Sequence, residues 1–210
     1  MGVLDKAVGI LDALRDGPSS LADLAAATGL PRATTHRLAV ALEVHGLVGR
    51  DEAGRFVLGL RLVGLGRAAG AGGRLAEVAG RALVALRDRT GESAQLYVRS
   101  GTGRLCVLSS ESPHGLRTIV PVGAVLPLER GSAGAVLRGD PEVATRGWVQ
   151  SVEERERGVA SVSAPVHLAG EVVAAVSVSG PIERTTRQPG HRYAEAVMAA
   201  ARAIELDLEP

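Results

Sequence analysis

The sequence predicts an α+β protein with a helical N-terminal part, a linker helix and a C-terminal α+β domain built on an antiparallel sheet. Three observations support this fold class. Apolar residues recur at helical spacing through the first third of the chain, short alternating segments separated by Gly-rich turns follow, and a last amphipathic helix ends the sequence. We place the domain boundaries at 1–61, 62–73 for the linker helix, and 74–210.

Composition limits the class of protein before any motif is considered. Of the 210 residues, 46% are hydrophobic and 2% aromatic, so we expect cores of Val, Leu, Ile and Ala. The net charge of +1 does not favour a polyanion partner for the whole surface. A single cysteine, Cys106, indicates a reducing compartment. With no signal region and no apolar run long enough to cross a bilayer, we expect a cytoplasmic protein without a membrane partner.

The first three elements are predicted to be helices. Residues 3–15 carry a helical stripe that we expect to be buried, formed by Leu4, Val8, Leu11 and Leu14. Ser19 and Ser20 supply an N-cap for a second helix over 21–27, and a Gly-containing turn at 28–30 leads into a third helix within 31–46. The predicted buried stripe of that third helix is Leu38, Leu42 and Val44.

A hairpin is predicted after the third helix. Two short apolar segments, 47–50 and 55–58, flank an acidic turn that ends at Gly54. Phe56 is the only phenylalanine, and we expect it to pack the hairpin against the helices. Three helices and a hairpin in this order predict a winged helix-turn-helix.

The third helix has a polar first turn and an apolar second half, as expected of a helix that enters the DNA major groove by its N-terminus. Residues 1–66 carry seven basic and seven acidic side chains, so the position of the charges matters rather than their sum. We predict contact with double-stranded DNA. Thr34, Thr35 and Arg37, with Ala33 beside them, are expected to lie at or near base edges. Arg32 and His36 are expected to contact base or phosphate, and Arg50 and Arg55 to contact phosphates. Use of the motif for protein contact alone is an open alternative.

The rest of the chain is predicted to alternate helices and strands. A linker helix rich in small residues is predicted at 62–73 and is the first candidate for dimer contact. Further helices are predicted at 74–90, from Ser132 to about 137, and as a last helix that ends at about 208, with one more helical turn at 142–144. Predicted strands are 94–99, 105–109, 116–120, 147–151, 159–168 and 172–179.

Motif searches favour binding rather than catalysis. The sequence has no nucleophile elbow, zinc-binding HExxH or CxxC motif, and none of its five histidines lies at ligand spacing from another histidine or from Cys106. We therefore predict no catalytic residue, no metal and no cofactor. Cys106 is interpreted as a small buried hydrophobe, with a redox sensor as the alternative.

Serines on the predicted strands offer a second candidate site. Ser177 and Ser179 share one face of their strand, and Ser161 and Ser163 share a face of the neighbouring strand. They are either surface residues or the floor of a polar pocket. In the second case, the amides of Ser132, Ala133 and Gly134 at a helix start would help to bind a small carboxylate.

Several segments resemble the IclR-type transcriptional regulators, over nearly the whole chain. They are Lys6-Ala-Val-Gly-Ile-Leu11, Thr28-Gly-Leu-Pro-Arg-Ala-Thr-Thr-His-Arg-Leu38, Leu47-Val-Gly-Arg-Asp51, Gly54-Arg-Phe-Val-Leu-Gly-Leu-Arg-Leu62 and Val176-Ser-Val-Ser-Gly-Pro181. The resemblance implies a winged helix joined to a GAF-like effector-binding domain, acting as a homodimer or tetramer on pseudo-palindromic operators. It also implies an effector site lined by Ser132, Ala133, Gly134, Ser151, Ser161, Ser177 and Ser179.

The chain departs from the family pattern in three places. Ser151 stands where the family has an acidic residue, Ser161 stands where it has a cysteine, and the segment between 137 and 147 lacks about a helix and a strand. The compact domain resembles an actinomycete subgroup associated with amino-acid biosynthesis genes, leucine especially.

We therefore expect a regulator of metabolic genes that responds to a small carboxylate or amino-acid-like effector. One alternative is a regulator without an effector, whose C-terminal domain only oligomerises or binds a partner protein. An enzyme with a DNA-binding appendage is a third interpretation, which the missing nucleophile–base pair disfavours.

Overall fold

The computed structural model describes residues 2–68 and 73–208. The chain divides into two compact units, residues 1–70 and 71–210, which are described separately here. The division falls inside the predicted linker at 62–73. Within the described residues, no helix is long and apolar enough to cross a membrane.

The N-terminal unit is a winged helix-turn-helix. Its helices are α1 (Val3–Ala13), α2 (Leu21–Thr28) and α3 (Arg32–Val44), followed by the antiparallel hairpin of β1 (Val48–Arg50) and β2 (Phe56–Leu58) and by α4 (Arg61–Ala68). The hydroxyl of Ser20 accepts the amide of Asp23, as predicted for the cap of α2. Only α4 represents the predicted linker helix here, because residues 69–72 lie outside the described residues and Gly73 begins the next helix.

Phe56 holds the hairpin against the helices. Its side chain is almost completely buried in the core of this unit, beside Ile10 and Leu24. Its backbone also exchanges two 2.9 Å hydrogen bonds with Ser19, in the connection before α2. The predicted role of Phe56 in packing the β1–β2 hairpin, the wing of this unit, against the helices is therefore confirmed.

Two predicted buried stripes are correct only in part. Leu14, directly after α1, is buried and Leu11 partly buried as predicted, but Ile10 is the fully buried side chain of α1, whereas Leu4 is 77% exposed and Val8 is also exposed. In α3 the predicted Leu42 is buried and Leu38 partly buried, but the exposed fraction of Val44 is 78%, because the buried stripe follows positions four and three apart, Thr35, Ala39 and Leu42. Helical spacing alone does not say which of two overlapping stripes faces the core.

The C-terminal unit is a six-stranded antiparallel sheet with helices on both faces. The strands are β3 (Ser93–Ser100), β4 (Gly103–Ser110), β5 (Val125–Pro127), β6 (Val149–Val152), β7 (Val159–Leu168) and β8 (Glu171–Pro181), in the order β5-β4-β3-β8-β7-β6. The helices are α5 (Gly73–Thr90), α6 (Ser132–Arg138), α7 (Pro141–Arg146), α8 (Ile182–Thr185) and α9 (Pro189–Leu208).

The two faces of this sheet differ in character. One face is apolar and packs on α5 and α9 through a core that includes Leu83, Leu96 and Ile204. The other face packs on α6 through a smaller cluster around Tyr97 and Cys106 and carries the serines of β6, β7 and β8. The polar face beneath α6 is the candidate effector site.

The predicted strand at 116–120 is wrong. This segment is irregular and crosses the end of β3, where Ser93 donates its hydroxyl to the Thr118 carbonyl at 2.7 Å. Arg184 reaches it from α8 and donates to the Leu116 carbonyl at 2.8 Å, while pairing with the buried Glu92 at 2.6 and 2.9 Å. Side-chain bonds hold this segment in place of a strand ladder, and β5 supplies the edge strand instead.

Candidate DNA-binding surface and effector site

The first turns of α3 present an exposed basic surface. The side chains of Arg32, Ala33, His36 and Arg37 are exposed, and that of Thr34 is half-buried. Arg37 lies three and four positions after Thr34 and Ala33, so these three share one helix face. Within residues 2–68 and 73–208, no acid pairs with Arg32 or Arg37. These arginines are therefore available to a phosphate or a base edge.

Thr35 does not belong to this surface. Its side chain is completely buried in line with Ala39 and Leu42, and its hydroxyl donates to the Pro31 carbonyl at 3.2 Å. A side chain buried inside the domain does not reach a base edge. The predicted base contact of Thr35 is thus corrected to a core role.

The two arginines of the wing, Arg50 and Arg55, already contact partners within the N-terminal unit. Arg50 donates its Nε to Glu43 at 3.1 Å, donates Nη1 to the Gly54 carbonyl at 3.1 Å, and lies over the Phe56 ring at 4.1 Å. Arg55 pairs with Asp51 at 2.7 Å, and the hydrogen bonds from Arg55 lower the pKa of that carboxyl. A phosphate contact by either arginine requires exchange of a carboxylate partner, and remains a prediction.

The serines of the C-terminal unit lie side by side across the sheet. Ser151 of β6 is opposite Ser161 of β7, and Ser161 is opposite Ser179 of β8. One row further along, Ser163 is opposite Ser177. Because side chains two residues apart point to the same face, these five hydroxyls form a polar patch beneath α6.

Ser132, the first residue of α6, links the hydroxyls into a chain. The successive Oγ–Oγ distances are 3.2 Å for Ser151–Ser161, 2.7 Å for Ser161–Ser132, 2.7 Å for Ser132–Ser163 and 2.9 Å for Ser163–Ser177. Ser163 donates to Ser177, and each hydroxyl has one proton. With Ser163 as the donor to Ser177, the other hydroxyls complete the chain by donating in the same direction, from Ser151 towards Ser177.

A small cavity of about 20 Å³ lies at this chain. Six of the seven predicted effector residues line it, namely Ser132, Ala133, Ser151, Ser161, Ser177 and Ser179. Gly134 is next to the cavity and packs so tightly that a Cβ atom there would lie 2.2 Å from the Leu128 carbonyl oxygen. The predicted residues thus come together, and ligand contact by them remains a prediction.

The amide directly before the predicted helix-start amides already has an anionic partner. Gly131, just before α6, donates its amide to the carboxylate of Glu154 at 2.8 Å. The chain therefore provides its own anion at this position. With only seven residues, α6 also has a short dipole.

Sequence reasoning missed the cation of the site, Arg104 on β4. Its side chain lines the cavity with 3% exposure and lies 5.4 Å from the Tyr97 ring centre. Burial lowers the pKa of its guanidinium, and the nearby charge of Arg155, which also lines the cavity, lowers it further. Alternation offered a signal, because Arg104 lies two residues before the buried Cys106 on the same strand.

Family models match both ends of this chain. The model of the IclR helix-turn-helix domain matches residues 3–52, and that of the C-terminal domain of bacterial IclR regulators matches residues 141–206. The glycerol operon regulatory protein of Streptomyces griseus is 32% identical, with 98% of this chain and 95% of the relative covered. The chain belongs to the IclR family.

Other IclR proteins extend the comparison. The transcriptional repressor AllR of Salmonella typhimurium is 26% identical over 99% of this chain and 90% of its own. The crystal structure of an IclR homolog from Microbacterium hydrocarbonoxydans, complexed with 4-hydroxybenzoate, has the same fold, with a TM-score of 0.81, 23% identity and 99% coverage of each chain. These relatives are regulators, and this protein is a DNA-binding transcriptional regulator, not an enzyme.

This IclR chain is shorter than its relatives. The alignment with the S. griseus regulator spans 245 positions against a chain of 210 residues, so the alignment contains at least 35 positions that this chain lacks. The C-terminal family match begins only at residue 141, immediately after α6. Both findings agree with the prediction that the segment between 137 and 147 lacks about a helix and a strand of the family pattern.

Chemistry other than binding finds little support in this IclR protein. Among the described residues, no group of three His, Cys, Asp or Glu side chains is placed to hold a metal ion. The Cys106 side chain is buried, and burial raises the pKa of its thiol to about 11. At neutral pH the thiol therefore stays protonated and weakly nucleophilic.

Proposed function

We propose that this protein binds a pseudo-palindromic operator in the cytoplasm as a homodimer or tetramer, and that a small anionic metabolite bound beneath α6 changes its affinity for DNA. The observation that carries the proposal is the lining of the cavity. Its polar side chains are hydroxyls and two arginines, Arg104 and Arg155, with no carboxylate among the described lining residues. Such a lining favours an anion that accepts hydrogen bonds.

On the DNA side, the exposed face of Ala33, Thr34 and Arg37 is proposed to read bases in the major groove. Arg32 and His36, at the same end of α3, are proposed to contact phosphate or base. A dimer presents two such helices, and its symmetry then matches that of the operator. Exposed apolar side chains on α4, Val63 and Leu65, support contact with a second copy.

On the effector side, the cavity is small. A volume of about 20 Å³ holds roughly one water molecule. A metabolite therefore has to take over hydrogen bonds that Ser132 makes with Ser161 and Ser163. Since Ser132 begins α6, ligand binding would move or hold this helix against the sheet. Allosteric couplings of this kind are typically ~1–3 kcal/mol.

The target genes fall into two candidate classes. Similarity to the glycerol operon regulatory proteins favours an operon for use of a carbon source. Resemblance of the compact effector domain to the actinomycete subgroup favours amino-acid biosynthesis genes, with a small acid of that pathway as the signal. Both classes would supply small anionic metabolites.

The test starts from the full chain and DNA of its source organism. Fragmented genomic DNA is incubated with the purified protein, and the retained fragments are sequenced to find the operator and its operon. A fluorescent operator is then titrated by anisotropy with and without small acids, sugar phosphates and amino acids. We expect one of the acids or phosphates to shift the dissociation constant by about five- to 150-fold. A complete absence of shift would refute the effector role.

A regulator without an effector is the second candidate, and the hydroxyl chain favours it. The serines bind one another, so the site satisfies most of its own hydrogen bonds without a ligand. In that case Ser177→Ala should alter neither operator affinity nor the response to any tested metabolite. An altered metabolite response in Ser177→Ala would exclude this candidate.

A further inference from the structure

We infer that Arg104 selects the ligand by charge, and that the ligand is an oxyanion, carboxylate or phosphate, on a molecule without an ammonium group. This inference rests on the proposed effector role of the cavity. It adds a specificity-determining residue and removes amino acids from the ligand class that the sequence suggested.

The Arg104 guanidinium is held in one position. Its Nη1 donates to the Pro127 and Arg130 carbonyls, which precede α6. Two glycines fit closely around it, since a Cβ atom at Gly134 would lie 2.9 Å from Nη1 and one at Gly131 would lie 3.2 Å from Nη2. The backbone on the α6 side is therefore shaped around this cation.

Despite this fit, the charge of Arg104 is not neutralised. Its Nε is buried and has no hydrogen-bond partner among the described residues, and no carboxylate lies within 4 Å of the guanidinium there. The nearest acid that affects it, Glu154, is engaged by the Gly131 amide. A buried cation without a counterion is costly, and an oxyanion in the cavity would remove that cost.

The same arrangement disfavours an ammonium group. An amino acid would bring its positive charge into a cavity lined by Arg104 and Arg155, without a carboxylate to receive it. Serine oxygens could accept a hydrogen bond from an ammonium group, but no carboxylate among the lining residues offsets its charge.

The experiment compares glycolate with glycine, which differ only by a hydroxyl against an ammonium group, and uses inorganic phosphate as a third probe. Binding to the full chain is measured by calorimetry and by the ligand-induced rise in Tm, for the wild type, Arg104→Met and Arg104→Lys. Arg99→Met removes the exposed arginine directly opposite Arg104 on neighbouring β3 and controls for loss of a nearby positive charge outside the cavity lining. Binding of glycolate alone identifies a carboxylate site, and binding of phosphate alone a phosphate site.

We expect the wild type and Arg99→Met to bind at least one anion about tenfold or more tightly than glycine. Arg104→Met should lose the anion response; removal of an unpaired buried charge and loss of the bonds to the Pro127 and Arg130 carbonyls act on its ligand-free Tm in opposite directions. Arg104→Lys should retain a weakened response. A purely structural arginine would instead leave the anion response of folded Arg104→Met unchanged.

Three results would overturn the inference: glycine binding as tightly as glycolate, unchanged anion binding in Arg104→Met, or no binding of either anion to the wild type. The comparison of glycolate with glycine needs only the wild type, so it decides even if a variant fails to fold. The proposed function is judged separately by the operator titration, because another metabolite can release DNA when all three probes fail.

Discussion

Replacing Arg37 by Ala and Thr35 by Val separates a DNA contact from a core contact on the same helix. The two side chains are two positions apart, yet Arg37 is exposed without an acidic partner among the described residues, whereas Thr35 is fully buried. We expect Arg37→Ala to weaken operator binding and Thr35→Val to leave it unchanged.

The magnitudes follow from these surroundings. A bidentate arginine–guanine contact discriminates by ~1–3 kcal/mol, which corresponds to a loss of roughly five- to 150-fold in affinity for Arg37→Ala. Thr35→Val keeps the side-chain volume and removes one hydrogen bond to the Pro31 carbonyl, which the Thr35 amide still satisfies at 3.0 Å. The free energy of unfolding should therefore fall by about 1 kcal/mol or less.

Fluorescence anisotropy on the mapped operator and on unrelated DNA measures both effects. Arg37→Ala should also bind the two DNAs with less discrimination, because base contacts carry specificity. Arg99→Ala, in the other unit, is the control for loss of one exposed positive charge. The proposed contact of α3 with DNA is refuted if Arg37→Ala binds the operator within twofold of the wild-type affinity, or if folded Thr35→Val loses tenfold in affinity.

Three further predictions concern charge and reactivity. Arg184→Met should lower the free energy of unfolding by about 3–5 kcal/mol in urea titrations, because it leaves Glu92, which is 2% exposed, without a counterion. Glu92→Gln should lower it less, because the Arg184 side chain still reaches solvent. At pH 8 the Cys106 thiol should react with Ellman's reagent only after unfolding, because a pKa raised to about 11 leaves roughly 0.1% thiolate. Arg55→Ala should reduce the slope of log affinity against log salt by about 0.9, if Arg55 exchanges Asp51 for a phosphate.

Each of these predictions has an opposing outcome. Equal losses for Arg184→Met and Glu92→Gln would mean that burial does not decide the cost of breaking this pair. Rapid thiol modification of the folded protein would restore the redox-sensor interpretation of Cys106. An unchanged salt slope in Arg55→Ala would leave that arginine on Asp51 in the DNA complex.

Sequence periodicity predicted the elements better than their orientation. Ser20, Phe56 and the strands of the serines were identified because caps, hairpins and alternation are local patterns. Which face of α3 is buried is not set by a local pattern, since Thr35 is buried by the packing of α3 on α1, α2 and the hairpin. Polar character alone had suggested that Thr35 faces DNA.

The effector site shows the same division. Strand alternation and the helix start at Ser132 suggested a pocket of serines, with surface residues as the alternative, and the family resemblance supported the pocket and added Ser151. Arg104 was missed because its role depends on a strand pairing distant in sequence and on the backbone before α6. The strand predicted at 116–120 failed for a related reason, because contacts with Ser93 and Arg184 decide its course.

The direction of the serine protons makes the site sensitive to the chemical type of atom bound at one end. The chain from Ser151 to Ser177 has two possible polarities, and all its hydroxyls must rotate together to pass from one to the other. A ligand acceptor beside Ser177 favours the polarity in which Ser163 donates to Ser177, and without that acceptor the chain is free to turn the other way. Hydroxyl rotation can thus couple β8 to β6, an edge strand of the sheet, without movement of the backbone.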